Sequence, residues 1–174
     1  MKYLMFIAIA FSFSNSVLAD QAIVHKTGRY NENALRQSGM TIMEDYGSFV
    51  LVESPQGVQN SMLKNNNYDY NPVSDGTTIC LCNHPFDTKV GPSENIPARL
   101  KIEDYPMGTK GLYLVQFKGP IKDKWLDDLK NSGDIEIVEY IPNNTYIVRM
   151  NPTDRDNVKT GLSTARWTGI FQPA

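Results

Sequence analysis

The side chains in this chain that could do chemistry are few: two histidines, two cysteines and a scatter of carboxylates. Serine-type hydrolysis needs a nucleophile, a base and an orienting acid brought together. Neither His25 nor His84 lies in a nucleophile motif, and the chain holds no G-x-S-x-G, no Walker loop, no H-E-x-x-H and no G-x-G-x-x-G. Asp127-Asp128 and Glu44-Asp45 are adjacent carboxylates. Neighbours along a helix or a strand point apart, so they read as solvated faces rather than an acid/base pair. His25, on a first strand, reads as a structural or surface histidine. The expectation is a chain that is not itself an enzyme, with no cofactor and no metal.

Cys80 and Cys82 stand at i and i+2 of an expected strand. That spacing puts both thiols on one face, where a bridge between them would be short and strained. They read as two free thiols. A metal or redox pair with nearby His84 is the alternative, but it lacks the C-x-x-C spacing and a second ligand pair.

The N-terminus reads as an export signal. Met1-Lys2-Tyr3 is a short positive start, Leu4 to Phe13 an apolar run, and Val17-Leu18-Ala19 a small-residue cleavage site, with cleavage placed after Ala19. An apolar run of that length is too short to span a bilayer. Cleavage takes Lys2 from 17 basic residues set against 19 acidic ones, leaving a formal charge of −3. A mildly acidic chain without a basic run offers no footprint for nucleic acid, and no membrane partner is expected after cleavage. The expected address is secreted or periplasmic.

The elements that must position any site fall into two groups. Residues 20–83 offer strands at Ala22–His25, Thr41–Tyr46, Ser48–Glu53 and Thr77–Cys82. Between them stand a helix over Tyr30–Gln37, capped by Asn31 and stopped by Gly39, and a short helix from Pro55 to the run Asn65-Asn66-Asn67. Residues 84–110 carry four prolines and two internal glycines and read as a linker, although Phe86-Asp87 and Ile96–Leu100 could dock on a module. Residues 111–174 are clearer. Leu112–Phe117 is a strand, and Gly119-Pro120 a turn. Ile121, Trp125, Leu126 and Leu129 then mark one face of a helix. Strands at Ile135–Ile141 and Thr145–Met150, a helix from Pro152 and a last strand at Arg166–Phe171 complete a βαββαβ order. Thr41–Glu44 lies over Glu136–Glu139, and Gly47–Leu51 over Asn144–Val148, with Pro142-Asn143 as an insertion. The fold expected is α+β: two tandem ferredoxin-like βαββαβ sandwiches, each an antiparallel sheet with helices on one face.

The second module's strands are apolar on both faces. Leu112, Leu114, Ile137 and Ile147 are assigned to the face under the helices; Tyr113, Val115, Phe117, Val138, Tyr140, Tyr146 and Val148 take the alternate positions. A sheet face that meets water alternates to polar residues, so an aromatic second face calls for a cover. The cover is either a partner, or the first module or the linker.

Several stretches carry a family resemblance. Tyr113–Pro120, Trp125-Leu126 with Leu129, Tyr140–Arg149, Arg166-Trp167 and Phe171–Ala174 resemble the N-terminal pro-region of secreted subtilisin-like serine proteases. The likeness is to the longer, fervidolysin-like propeptides; Asp45–Val52 and Phe86-Asp87 look like the segment that precedes that region. The resemblance implies an intramolecular chaperone and inhibitor that packs its open sheet face on the protease and sends its C-terminal tail through the substrate cleft. Carried onto this chain, the partner-binding residues are Tyr113, Val115, Phe117, Tyr146, Val148, Phe171, Gln172 and Pro173. The partner is a subtilisin-like serine protease domain, in cis or in trans, since the catalytic domain's motifs are not in this chain. A stand-alone inhibitor, an exported scaffold module and a small-ligand sensor are the competing readings.

Overall fold

The computed structural model describes residues 20–54, 60–81, 85–92, 97 and 99–172. The export segment with its cleavage point, the helix start at Pro55, Cys82, His84 and Pro173 lie outside the described residues. The fold is α+β, built on two four-stranded antiparallel sheets.

The first half runs β1 (Asp20–His25), α1 (Glu32–Gln37), β2 (Thr41–Asp45), β3 (Phe49–Ser54), α2 (Asn60–Asn65) and β4 (Tyr70–Val73). Its strands lie in the order β2-β3-β1-β4. Asn31 caps α1 by accepting from the Ala34 N–H, and Gly39 and Gly47 take φ of +83° and +84°, which a side chain would resist. Ala22 and Val24 on β1 and Val50 and Val52 on β3 pack with Leu35, Met40 and Leu63 into one core.

The fourth strand is not where the sequence pattern put it. Tyr70–Val73 closes the first sheet beside β1, while Thr78–Ile79 (β5) leaves that sheet and pairs with Phe86–Asp87 (β6) in a separate hairpin. Asn71 and Pro72 argue against a strand, and the segment survives as one because it is at the sheet edge, where a missing N–H costs no ladder bond. Part of the expected linker is therefore a hairpin with a place in the fold.

The second half repeats the plan. It runs β7 (Gly111–Phe117), α3 (Asp123–Asn131), β8 (Glu136–Ile141), β9 (Thr145–Met150), α4 (Pro152–Gly161) and β10 (Ala165–Ile170), with strand order β10-β7-β9-β8. Asn151 caps α4 by accepting from the Asp154 N–H, and Pro152 occupies its first turn. Asn143 and Asn144, both at positive φ, make the β8–β9 turn. The two halves also share a detail. In each, the strand after the first helix slips by one residue against its partner: between Ile42 and Glu44 in β2, and between Ile137 and Glu139 in β8. The aligned positions Met43 and Val138 are the extra residues of these bulges.

The halves meet where the outer face of the first sheet touches the β7–α3 turn. Tyr46 donates its hydroxyl to the Pro120 carbonyl at 2.8 Å, stacks on Phe49 and turns an edge to Trp125. Gly119 comes so close that a Cβ there would sit 2.5 Å from the Leu51 side chain, so no larger residue fits without movement. No helix among the described residues is long and apolar enough to cross a membrane.

Candidate functional site

The sheet of the second half decides where a partner could sit, and strand register decides the sheet's faces. Tyr113 pairs with Val148 and Val115 with Tyr146, so these four and Phe117 share one face. That face is the helix face. Tyr113, Val115, Phe117 and Val148 are fully buried and pack with Trp125, Leu129, Met150 and Val158. The Phe117 and Trp125 rings stack at 5.9 Å, and the Arg155 guanidinium stands 5.9 Å from the centre of the Tyr113 ring. Burial of this kind is worth roughly 1.5–3 kcal/mol for each large apolar side chain. The assignment of Tyr113, Val115, Phe117 and Val148 as partner-binding residues is thus corrected: they are the core, and the two faces expected from the sequence are exchanged. Ile137 is the exception to the exchange, because of the bulge at Val138. It returns Ile137 to the helix face and sends Glu139 and Ile141 to the other.

The opposite face carries Leu112, Leu114, Gln116, Thr145, Ile147, Ile141 and Trp167, and the β5–β6 hairpin lies over part of it. Ile79 is fully buried against Leu114 and Ile141, with Leu81, Phe86, Ile147, Trp167 and Phe171 around them. Phe86 meets the Trp167 ring edge-on at 5.5 Å. Gln116, fully buried, fastens the hairpin to the sheet: its amide group donates to the Asn143 carbonyl at 3.2 Å and the Thr78 carbonyl at 3.4 Å. Its carbonyl oxygen is 3.0 Å from the Thr88 hydroxyl. The Asn143 side chain adds a bond to the Thr78 carbonyl at 3.0 Å. The strand expected at Thr77–Cys82 and the start of the segment read as a linker together cover this part of the sheet.

The tail residues are also engaged within the chain. Phe171 donates its N–H to the Leu112 carbonyl at 3.0 Å and joins the cluster under the hairpin. Gln172 clamps the backbone of Ile102, accepting from its N–H at 2.9 Å and donating to its carbonyl at 2.6 Å. Beside this clamp is a cavity of about 390 Å³ lined by Lys101, Arg155, Trp167 and Ile170.

Among the described residues expected to bind a partner, Tyr146, Phe171 and Gln172 are partly exposed, and Tyr146 packs on the edge of the helix-face core. It is half-buried, and its ring meets Tyr140 at 5.3 Å in a T-shaped pair on β8 and β9. Tyr140 is 50% exposed and Val138 46% exposed, two large apolar side chains left uncovered on β8. Val138 is exposed because the bulge turns it out of both faces, which an alternation pattern cannot reveal.

The remaining reactive side chains are accounted for singly. Cys80 is exposed and unbridged, with the Asn143 amide 3.5 Å from its sulfur. His25 pairs with the Asn71 amide at 3.0 Å and meets Phe49 edge-on. Asp128 is bonded by Lys124 and Asp45 by Lys26, while Glu44 lies between Lys122 and Lys118. Among the described residues, no three His, Cys, Asp or Glu side chains are grouped to hold a metal.

Comparison with known proteins adds three findings. The chain is similar to the serine protease/ABC transporter B family protein tagA of Dictyostelium discoideum, with 35% identity over 105 residues. The match takes in 56% of this chain and spans only 6% of that protein's length. No solved structure matches the chain. The family described as a domain of unknown function (DUF8729) matches residues 63–172, a stretch that holds the β5–β6 hairpin together with the whole second half from β7 to β10. With more than half of its length inside that match, the chain belongs to the DUF8729 family.

Proposed function

We propose that this chain is the pro-region of an exported subtilisin-like serine protease, acting as chaperone and inhibitor of a protease domain in cis or in trans. The observation that carries the reading is the 35% identity, over 105 residues and 6% of that protein's length, to a protein named as a serine protease/ABC transporter B family protein. Two further features support it. The βαββαβ succession with strand orders β2-β3-β1-β4 and β10-β7-β9-β8 favours a ferredoxin-like reading of both halves. The N-terminal segment has the pattern of an export signal, which suits a secreted or periplasmic protease precursor. On this reading the chain has no catalytic groups of its own. It stabilises the compact protease by binding the folded form and not the unfolded one.

The docking surface follows the exposed side chains. With the core residues buried and the hairpin seated on part of the other face, the patch offered to a protease is Val138, Tyr140 and Tyr146. Aromatic side chains with one apolar face and one polar tip are enriched at the centres of protein interfaces. The test is inhibition of a secreted subtilisin-like protease by the chain freed of residues 1–19. Inhibition is expected to weaken at least about tenfold in Tyr140→Asp, a loss of roughly 1.4 kcal/mol. A Tyr140→Asp protein that inhibits as well as the parent removes the patch assignment, and a parent that inhibits no such protease removes the reading.

A further inference from the structure

We propose that Gln172 is a positioning residue for inhibition: its clamp on the backbone of Ile102 fixes where the tail leaves the second half, and the segment that enters the protease cleft starts after Gln172. This inference rests on the pro-region reading and refines it.

The tail is held at two successive residues, each on a different element. Phe171 extends the pairing of β10 with β7, its N–H on the Leu112 carbonyl at 3.0 Å, and its side chain packs on the cluster of Ile79, Leu114 and Ile141. Gln172 is bonded instead to a strap of residues 99–106, which is neither helix nor strand. Its side-chain oxygen accepts from the Ile102 N–H at 2.9 Å, and its side-chain nitrogen donates to the Ile102 carbonyl at 2.6 Å. One amide group thus meets both backbone groups of one residue, as a paired residue does in an antiparallel ladder. Two such bonds set the direction of the side chain as well as its reach.

The clamp bridges a gap. The cavity of about 390 Å³ beside it is lined by Lys101, Ile102 and Glu103 of the strap and by Trp167, Gly169 and Ile170 of β10. A strap packed on the strand would leave no such space, so the connection at this point falls to the Gln172 amide. The strap has its own footing further along. Asp104 is 3.4 Å from Arg155 of α4, and the Tyr105 ring packs against Gly111 and Tyr113 of β7. Ile102 is therefore a fixed point for the tail to hold. A segment already ordered in one direction loses less freedom when it is bound, which tightens binding without a new contact to the partner. The Val138–Tyr140 patch is on β8, at the opposite edge of the sheet from β10. Three strand spacings, roughly 14 Å, separate the two edges, so the clamp can be broken with the patch intact.

The test compares Gln172→Ala with Ile102→Pro in the chain freed of residues 1–19. Proline at 102 removes the N–H that Gln172 accepts from, at a site 70 positions from the tail. In Gln172→Ala the Ile102 amide is expected to exchange at least about tenfold faster. The Thr88 amide and the unfolding midpoint are expected to stay as in the parent. Each variant is expected to inhibit the secreted subtilisin-like protease about tenfold more weakly. The double variant is expected to be no weaker than either single one, because both break the same contact. If the parent inhibits and Gln172→Ala inhibits as well, this proposal falls and the pro-region reading stands. A loss in Gln172→Ala that Ile102→Pro does not share makes Gln172 a direct protease contact and overturns the positioning role. An Ile102 amide equally slow without Gln172 overturns the clamp itself. A parent that inhibits no such protease removes the reading and this inference together. If Gln172→Ala does not fold, Ile102→Pro decides, by showing or lacking the weaker inhibition.

Discussion

The carbonyl oxygen of Gln116 lies 3.0 Å from the hydroxyl of Thr88, and the two side chains, both buried, join the β5–β6 hairpin to the sheet beneath it. A glutamine on a sheet face normally looks at water. Here it donates to the hairpin's Thr78 carbonyl and accepts from its Thr88 hydroxyl, so the hairpin is bonded in place rather than resting on an apolar surface.

Gln116→Ala removes the donor to the Thr78 and Asn143 carbonyls and one of the two acceptors of the Thr88 hydroxyl, which keeps the Thr77 carbonyl at 2.9 Å. The expected cost is about 1–3 kcal/mol. Hydrogen exchange is the sharper readout: the Thr88 amide, bonded to the Thr77 carbonyl at 2.9 Å, is expected to exchange faster. Unchanged protection at Thr88 would show that the hairpin holds without the glutamine.

Phe117 and Tyr140 are separated by burial, not by chemistry. Phe117→Ala opens a cavity against Trp125 and is expected to cost about 3–5 kcal/mol in urea unfolding. Tyr140→Ala, at a half-exposed position, is expected to stay within about 0.5 kcal/mol of the parent. Equal losses at the two sites would contradict the face assignment.

Asn151 holds the start of α4 through the Asp154 N–H at 2.9 Å and also bonds the Asp154 carboxylate at 2.7 Å. Asn151→Ala is expected to lower stability by about 1 kcal/mol. Asn151→Ser, which keeps an oxygen for the cap, is expected to recover most of it, measured as a shift in Tm.

Alkaline stability reports on Tyr46. Burial, with Glu44 adding to it, pushes its phenol well above the ordinary 10.0, so the folded chain keeps a proton that the unfolded chain gives up. Folding stability is therefore whole below pH 10.0 and falls as pH rises above it. Tyr46→Phe is expected to flatten that fall, as followed by unfolding midpoints above pH 10.0, while also losing the bond to the Pro120 carbonyl. An identical slope in the variant would mean that Tyr30 and Tyr113, also raised by burial, carry the alkaline dependence.

The order of elements in the second half was legible because its signals are local: the helix stripe of Trp125 and Leu129, the Asn151-Pro152 start of α4, the asparagine turn. The choice of face was not read correctly, although the signal was present. The positions holding Gln116, Thr145 and Arg149 form the less apolar set, and those holding Tyr113, Phe117, Val148 and Met150 the more apolar one. Weighing the polar members would have put the aromatic set beneath the helices. One feature escaped for a physical reason: β4 contains Asn71 and Pro72 and is a strand only because an edge tolerates them. A cover from the first module or the linker was among the alternatives the sequence left open, but its seating depends on long-range bonds from Gln116 and Asn143, which no local pattern encodes. The charges at the joint were visible as residues, but their pairing spans up to 113 positions of sequence.

The matched slips at Met43 and Val138 bear on ancestry. Little side-chain identity is left between the two hairpins, yet each retains one surplus residue in the same strand, ahead of the same turn. One insertion copied with a doubled unit would account for both slips, and on that account the kink is better kept than the side chains around it. It also makes the hairpins spare parts for each other: with Thr41–Ser54 grafted in place of Glu136–Met150, the pairing of β7 to its new neighbour would keep its phase along the ladder.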